Sequence, residues 1–182
     1  MHGWRWQAQY DSDVARSLEP YPARTLVEYL RQLSHDRPSA PAILFKGATV
    51  TYQQLDHDSD ALARALHENG VRKGDRVALV LPNCPQFLVA EFAAWKLGAV
   101  VVPLNPTYSE RELEHALSDT GTGTVVTLTL FYAKVKSIQA STSVRLVIAT
   151  SIKDYLPLHL KWLFTLFKER REGHREIGRA HV

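Results

Sequence analysis

The stretch from Asp56 to Asp60 concentrates groups that could do chemistry: three carboxylates, an imidazole and a hydroxyl lie within five residues. A serine, a histidine and an acid are the components of a nucleophilic triad. In α/β hydrolases the nucleophilic serine lies on a strained turn after a strand, as in G-x-S-x-G, and that pattern is absent around Ser59. Acids near a helix start are favoured by the helix dipole alone. We therefore interpret this cluster as the polar part of a helix.

The segment from Asp119 to Thr124 is the strongest candidate for a phosphate-binding loop, because its glycines could expose backbone N–H groups to an anion. It lacks the third glycine of a dinucleotide fingerprint and the Gly-Lys-Ser/Thr ending of a P-loop. Phosphate loops also lie between a strand and the following helix, whereas this segment follows a predicted helix and precedes a predicted strand. We interpret it as a helix-to-strand turn, where glycine is expected.

Cysteine and histidine offer little for a reactive or metal site. Cys84, between Asn83 and Pro85 at a predicted helix start, could have a lowered pKa there, but no partner base is evident and a small buried residue is the preferred interpretation. No histidine belongs to an H-E-x-x-H motif or is paired with cysteine at a metal-binding spacing. The eight histidines are His2, His35, His57, His67, His115, His159, His174 and His181.

Composition limits the class of protein. The 182 residues fit one domain or part of a larger protein, and 45% hydrophobic content excludes intrinsic disorder. One cysteine excludes a disulfide-stapled fold and suits a reducing compartment. A net charge of +3 gives no indication of a nucleic-acid partner. Without a signal peptide or a membrane-spanning run, we expect a cytoplasmic protein.

Alternating strands and helices must position these residues. Apolar runs predict strands at 77–81, 99–104, 124–130 and 144–150, with helices between them and a weaker helix near 131–140. This alternation is typical of a parallel sheet with crossover helices, so the predicted fold class is α/β with a βαβαβαβ subdomain. Two short strands are predicted within 42–51. Capping boxes predict three helix starts, at Thr25/Glu28, Thr51/Gln54 and Ser109/Glu112.

The predicted organisation has five parts. Residues 1–24 form an extended arm whose aromatic side chains dock on a surface, because Pro20 and Pro22 disfavour regular structure. The other parts are a helix, hairpin and helix at 25–70, the parallel α/β subdomain at 71–150, an apolar helix with a basic end at 151–175, and a distinct tail at 176–182.

The apolar stretch within 155–175 is followed by a basic end. A helix of this kind could contact an anionic membrane surface peripherally. We favour packing against downstream protein, since that is the commoner use of an apolar face.

The tail Glu176–Val182 can be encoded by GAG ATC GGA AGA GCA CAC GTC, which resembles the start of a common sequencing-library adapter. We expect it to be translated adapter and exclude it from fold reasoning. This interpretation places the end of the native sequence near Arg175.

Residues 51–120 resemble the N-terminal region of adenylate-forming enzymes, the AMP-binding superfamily that includes acyl-CoA synthetases and luciferases. Each matching motif alone is weak evidence for the family, whereas all of them together, in this order and spacing, are highly specific. The motifs are Thr51-Tyr52 with Leu55, Gly74-Asp75-Arg76-Val77, Leu81-Pro82-Asn83, Lys96-Leu97-Gly98-Ala99 and Pro103-Leu104-Asn105-Pro106. Two flanks resemble long-chain fatty-acid–CoA ligases. These are the arm from Trp6 to Pro22 and Lys153-Asp154-Tyr155-Leu156-Pro157 with the helix after it.

The resemblance implies the N-terminal part of the adenylate-forming fold and a ligase that uses ATP, Mg²⁺ and CoA. A fatty acid would form an acyl-adenylate and then a CoA thioester. The family's phosphate loop, magnesium-binding acid, adenosine-binding aspartate and C-terminal lysine all lack a counterpart in this chain. We therefore assign no catalytic, cofactor-binding or metal-binding residue, expect these residues beyond the chain end, and predict that the chain alone is inactive.

Three alternatives stay open. The parent could act on an aryl or medium-chain acid, because the residues lining the acid pocket are expected downstream. The chain could be a non-enzymatic module that binds a membrane or a partner through 155–167. A homodimer is also compatible with the sequence.

Overall fold

The computed structural model describes residues 5–15, 17 and 19–167. The predicted tail and the basic end of the last helix therefore lie outside the described residues. The helices are α1 Leu26–Asp36, α2 Tyr52–Glu68, α3 Pro85–Lys96, α4 Glu110–Asp119, α5 Thr129–Ile138 and α6 Leu158–Phe167. The strands are β1 Pro41–Phe45, β2 Ala48–Thr51, β3 Arg76–Val80, β4 Val100–Leu104, β5 Thr124–Leu128 and β6 Leu146–Thr150.

The core of the fold is a four-stranded sheet in the order β4-β3-β5-β6. All three strand pairs are parallel, which confirms the predicted α/β class. The strands β1 and β2 form a separate antiparallel hairpin. Its turn uses Lys46 and Gly47, with φ of 47° and 84°, and successive positive φ angles are what a tight two-residue hairpin requires.

Helices cover both faces of the sheet. On one face Leu79 of β3 and Val126 of β5 are buried in a core with residues of α2 and α3. On the other face, Ala78 and Val125 are buried with residues of α4 and α5. Because neighbouring residues of a strand point to opposite faces, this double coverage explains why β3 and β5 are continuous apolar runs.

A third cluster forms an outer layer beyond α2 and α3. Leu30 of α1, Val50 of the hairpin, Leu55 of α2 and Val89 of α3 are buried together. Leu30 is the buried residue of α1, whereas Leu26 and Tyr29 of the same helix are 59% and 37% exposed. The apolar residues of α1 therefore contact its neighbours only in part.

The three predicted capping boxes are confirmed. In each, the side chain of the residue before the helix accepts a hydrogen bond from a backbone N–H of the first turn, and a Glu or Gln side-chain oxygen accepts one from the backbone N–H of that same residue. These contacts satisfy N–H groups that have no partner inside the helix. They depend only on residues three apart, which is why the sequence predicts them.

Two predicted boundaries are wrong in detail. The strand predicted at 124–130 ends at Leu128, and α5 starts at Thr129 instead of residue 131. Thr129 and Leu130 are residue types found in both strands and helices, so their sequence does not show where β5 ends and α5 begins. The strand predicted at 144–150 starts at Leu146, because the N–H groups of Arg145 and Leu146 both donate to the carbonyl of Gly123.

Both ends also differ from the prediction. Arg5–Gln9 form a 3-10 helix, and Trp6 and Tyr10 contact each other edge to face while staying about half exposed. The helix predicted from residue 155 is instead a 3-10 helix, Ile152–Tyr155, followed by α6. Pro157 explains the break, since a residue before proline avoids helical geometry. None of the described helices is long and apolar enough to cross a bilayer.

Candidate functional site

The carboxyl edge of the sheet contains a topological switch point between β3 and β5. These strands are neighbours, yet β3 leads through α3 to β4 on one side, and β5 leads through α5 to β6 on the other. The helices α3 and α5 lie on opposite faces. In open α/β sheets the loops diverge at such a point and leave a crevice that binds ligands. This crevice is the candidate functional site.

Two helix N-termini at this crevice lack a side-chain cap. Cys84 precedes α3 and Leu128 precedes α5, and neither side chain accepts a hydrogen bond from its helix. The first turn of α4 differs, because the Ser109–Glu112 box occupies it. An uncapped N-terminus presents free N–H groups and a partial positive charge. The start of α3 offers one group fewer, since its first residue is Pro85.

Buried polar side chains meet at the same edge. Gln86 is 4% exposed, and its Nε2 donates a 2.8 Å hydrogen bond to the carbonyl of Ser151. The β5–β6 register pairs Leu128 with Thr150, so Thr129 and Ser151 directly follow the paired ends of these strands. Within the described residues, three buried side-chain atoms lack a hydrogen-bond partner: Gln86 Oε1, Thr129 Oγ1 and Ser151 Oγ. All three follow the carboxyl ends of β3, β5 and β6.

This arrangement can orient a polar group but cannot supply the charge that a metal nucleotide needs. No group of three or more His, Cys, Asp or Glu residues that could hold a metal ion occurs in the described part of the chain. The three buried polar groups are neutral. The described residues therefore do not fit a Mg²⁺–triphosphate site, and we assign no step of a reaction to them.

The Asp56–Asp60 cluster stabilises the packing of α2 on α3. The Nζ of Lys96 lies 2.6 Å from Asp56 Oδ1 and 2.7 Å from Asp60 Oδ1. It also donates to the Asp56 carbonyl at 2.9 Å. Because the lysine side chain is only 3% exposed, the two carboxylates compensate a buried charge. Lys96 is the residue that sequence reasoning missed here.

The rest of that cluster also has structural partners. The Ser59 hydroxyl is buried and donates to the Leu55 carbonyl at 2.6 Å, so it is not presented as a nucleophile. Asp58 accepts a 2.7 Å hydrogen bond from the hydroxyl of Tyr155. Burial, and next the hydrogen bond to Asp58, raise the pKa of Tyr155 well above its ordinary value. The interpretation of these acids as part of a helix is confirmed.

Cys84 is buried, as predicted, with 7% of its surface exposed. Desolvation raises the pKa of its thiol, and the nearby backbone N–H groups of Phe87 and Gln86 lower it to a smaller extent. The net shift is upward. The alternative of a lowered pKa at the start of α3 is therefore wrong, because burial outweighs the helix N-terminus.

The Asp119–Thr124 segment is a helix-to-strand turn at the amino edge of the sheet, as predicted. Thr120 is the residue that follows α4, and Gly121 has a φ of 58°, in the left-handed region that glycine tolerates. The N–H of Thr122 donates to the Leu117 carbonyl at 3.1 Å. The segment thus lies at the opposite edge from the crevice.

Comparison with known proteins shows the family to which this fold belongs. Residues 30–168 match the family described as AMP-binding enzyme. The chain belongs to the AMP-binding enzyme family. Within this family it is 36% identical over 166 residues to the long-chain-fatty-acid–CoA ligase of Bacillus subtilis, which amounts to 91% of this chain and 30% of that relative.

Two further AMP-binding relatives set the range of similarity. The chain is 43% identical over 89 residues to the feruloyl-CoA synthase of an Amycolatopsis species, a match to 49% of this chain and 18% of that protein. The crystal structure of a long-chain-fatty-acid–CoA ligase from Archaeoglobus fulgidus superposes with a TM-score of 0.63 at 25% identity. That match covers 74% of this chain and 30% of the other. The fold corresponds to the N-terminal part of adenylate-forming ligases.

Proposed function

We propose that this chain is the N-terminal scaffold of a ligase that activates a long-chain fatty acid with ATP and Mg²⁺ and transfers it to CoA. The observation that carries the proposal is the AMP-binding family match over residues 30–168, together with 36% identity to a long-chain-fatty-acid–CoA ligase across 91% of the chain. The chain spans 30% of that relative's length. The activity therefore belongs to the longer protein.

The role proposed for these residues is to build the carboxyl edge of the sheet. The uncapped starts of α3 and α5 and the buried amide of Gln86 form one wall of the crevice. The groups that stabilise charge on a transferring phosphoryl must come from other residues. The 182 residues alone are expected to show no acyl-CoA formation.

A chimera tests this proposal. In the Bacillus subtilis ligase, the stretch matching this chain is exchanged for this chain, and acyl-CoA formation from palmitate, ATP and CoA is measured. We expect turnover by the chimera and none by the isolated chain under the same conditions. Turnover by the isolated chain, or a folded chimera that binds no substrate and makes no product, would contradict the scaffold role. Circular dichroism of both proteins separates misfolding from inactivity.

An aryl acid is the second candidate substrate. The 43% identity to a feruloyl-CoA synthase, although over 89 residues, favours it. The residues that would line the acid pocket are not assigned within this chain, so the acid specificity has to be measured on the full-length protein. Comparing its kcat/KM for palmitate, octanoate and ferulate separates the candidates, and a preference for ferulate would replace the fatty acid in the proposal.

A further proposed role of the same protein is contact with the cytoplasmic face of a membrane. Leu158, Trp162 and Leu163 of α6 are 73%, 67% and 50% exposed, which gives this helix an apolar surface suited to an interface. Sedimentation with anionic vesicles tests it: Leu158→Gln with Trp162→Gln should abolish binding, whereas Thr165→Gln at another exposed position should not. Vesicle binding unchanged by the first pair would assign α6 to protein packing.

A further inference from the structure

A cleft of about 630 Å³ opens at the amino edge of the sheet, opposite the candidate functional site. It lies where β3, β5 and β6 begin. Its lining includes Arg76 and Arg145, the first residue of β3 and the residue before β6, together with the turn containing Gly121 and Gly123. A volume of this size is typical of small-molecule sites.

The two glycines let both guanidinium groups lie close against this turn. A Cβ placed on Gly121 would lie 3.4 Å from Arg76 Nη2, and one placed on Gly123 would lie 3.3 Å from Arg145 Nη2. Gly121 and Gly123 are two residues apart in this turn. The two arginines therefore lie over neighbouring parts of one short segment and face a shared cleft.

The first guanidinium is fixed by the backbone. Arg76 donates from Nε and Nη2 to the carbonyl of Gly121 at 3.3 and 2.9 Å. A single acceptor holds two of its N–H groups, and a guanidinium carries five. Arg76 thus keeps donors for a ligand while its position is restrained.

Neither guanidinium forms an ion pair with a carboxylate in the described part of the chain. All ion pairs recorded among those residues involve His57 or Lys96, and none involves Arg76 or Arg145. Asp75 is the acid in the cleft lining, and its Oδ2 accepts a 2.8 Å hydrogen bond from the backbone N–H of Arg72. Two positive charges against the one carboxylate leave the lining with a net positive charge, which favours binding of an anion that can bridge the two arginines.

We propose that this amino-edge cleft binds a phosphate-bearing small molecule, with Arg145 and Arg76 contacting the phosphoryl oxygens. Planar guanidinium groups match the paired oxygens of phosphate. The polar neighbours Asn69, Ser143 and Thr124 line the same cleft and provide hydrogen-bonding groups for the remainder of the ligand. The site is separate from the crevice at the carboxyl edge, so it does not depend on the proposed ligase function.

Calorimetric titration of the 182-residue chain with inorganic pyrophosphate tests the proposal. We expect saturable binding, weakened about tenfold or more by Arg145→Gln, because this change removes charge-assisted hydrogen bonds. Arg111→Gln is the matched control, since this exposed arginine lies on α4 outside the cleft. Gly123→Ala is a second variant, expected to weaken binding by displacing the Arg145 guanidinium.

The outcomes decide between distinct explanations. Absence of binding at millimolar pyrophosphate, or equal losses for Arg145→Gln and Arg111→Gln, would overturn the proposal. Vesicles containing phosphatidylglycerol form the second arm: competition between vesicles and pyrophosphate that depends on Arg145 would identify a lipid phosphate as the source. Binding of pyrophosphate without vesicle binding would identify a soluble ligand. Circular dichroism of each variant confirms that the chain is folded.

Discussion

The Nζ of Lys96, at the end of α3, lies 2.6 Å from Oδ1 of Asp56, near the start of α2. The residues are 40 positions apart in the chain. Asp60, one helical turn after Asp56, is a second carboxylate partner of the same Nζ at 2.7 Å. The buried lysine thus joins the two helices that cover one face of the sheet.

Lys96→Met should lower the free energy of unfolding by about 3 kcal/mol, because it leaves Asp56 facing Asp60 without the charge that compensates them. Urea denaturation followed by circular dichroism measures the loss. Asp60→Asn should cost about 1 kcal/mol or less, since that side chain is 46% exposed. A triple variant, Lys96→Met with Asp56→Asn and Asp60→Asn, should recover part of the stability. Equal effects of Lys96→Met and Asp60→Asn would show that burial of the lysine is unimportant.

Tyr155→Phe tests the contact between the segment after β6 and α2. Removing the 2.7 Å hydrogen bond to Asp58 should cost about 1.5 kcal/mol near pH 7. The same variant should be less sensitive to alkaline pH. The pKa of the native phenol is raised above its ordinary value of 10.0, so the unfolded chain releases the proton first, and stability falls as pH rises above that value.

Urea midpoints of both proteins between neutral and alkaline pH provide the measurement. The wild-type midpoint should fall more steeply above pH 10.0. Tyr132→Phe serves as the tyrosine control on α5. Parallel curves for wild type and Tyr155→Phe would contradict the coupling between this phenol and Asp58.

Local patterns in the sequence predicted the elements well, because caps and alternation depend on nearby residues. The Thr51–Gln54 box and the start of α2 are one example. The contact of Lys96 with Asp56 could not be predicted in this way, since it depends on how α3 packs on α2. The sequence indicated only that acids occur early in a helix.

The buried face of α3 shows a second limit. Leu88, Phe92 and Trp95 are the large apolar residues on one side, yet they are only partly buried. The fully buried positions include Ala90 and Ala93. Small residues allow α3 to approach the sheet closely. Hydrophobicity alone does not show whether the side with small residues or the side with large apolar residues faces the sheet. The switch-point crevice likewise required the strand order, which the sequence pattern does not give.

Ser109→Ala should raise the pKa of Glu112 toward its ordinary value of 4.5. The backbone N–H of Ser109 is the main cause of the lowered pKa and remains, while the hydroxyl, 2.8 Å from Glu112 Oε2, is lost. Carboxyl carbon shifts measured by NMR during an acid titration report the change. The lowered pKa also means that this box stabilises the fold above pH 4.5 and loses its effect as pH falls through the native value.

The box at the start of α1 is the matched control. Thr25→Ala should raise the pKa of Glu28, which is lowered by the same two kinds of hydrogen bond, and leave Glu112 unchanged. A Ser109→Ala variant in which Glu112 titrates as in the wild type would show that the hydroxyl contributes nothing to the carboxylate.

The reaction rate of the Cys84 thiol measures how accessible the start of α3 is to solvent. The thiol is 7% exposed, and burial raises its pKa, so both access and thiolate content oppose reaction. At neutral pH, Ellman's reagent should modify native Cys84 orders of magnitude more slowly than the chain unfolded in urea. A Cys84→Ser, Ser118→Cys variant, with its thiol at an exposed position, should react rapidly while folded. Rapid modification of the native wild type would mean that the crevice beside α3 is open and that the thiol there is activated.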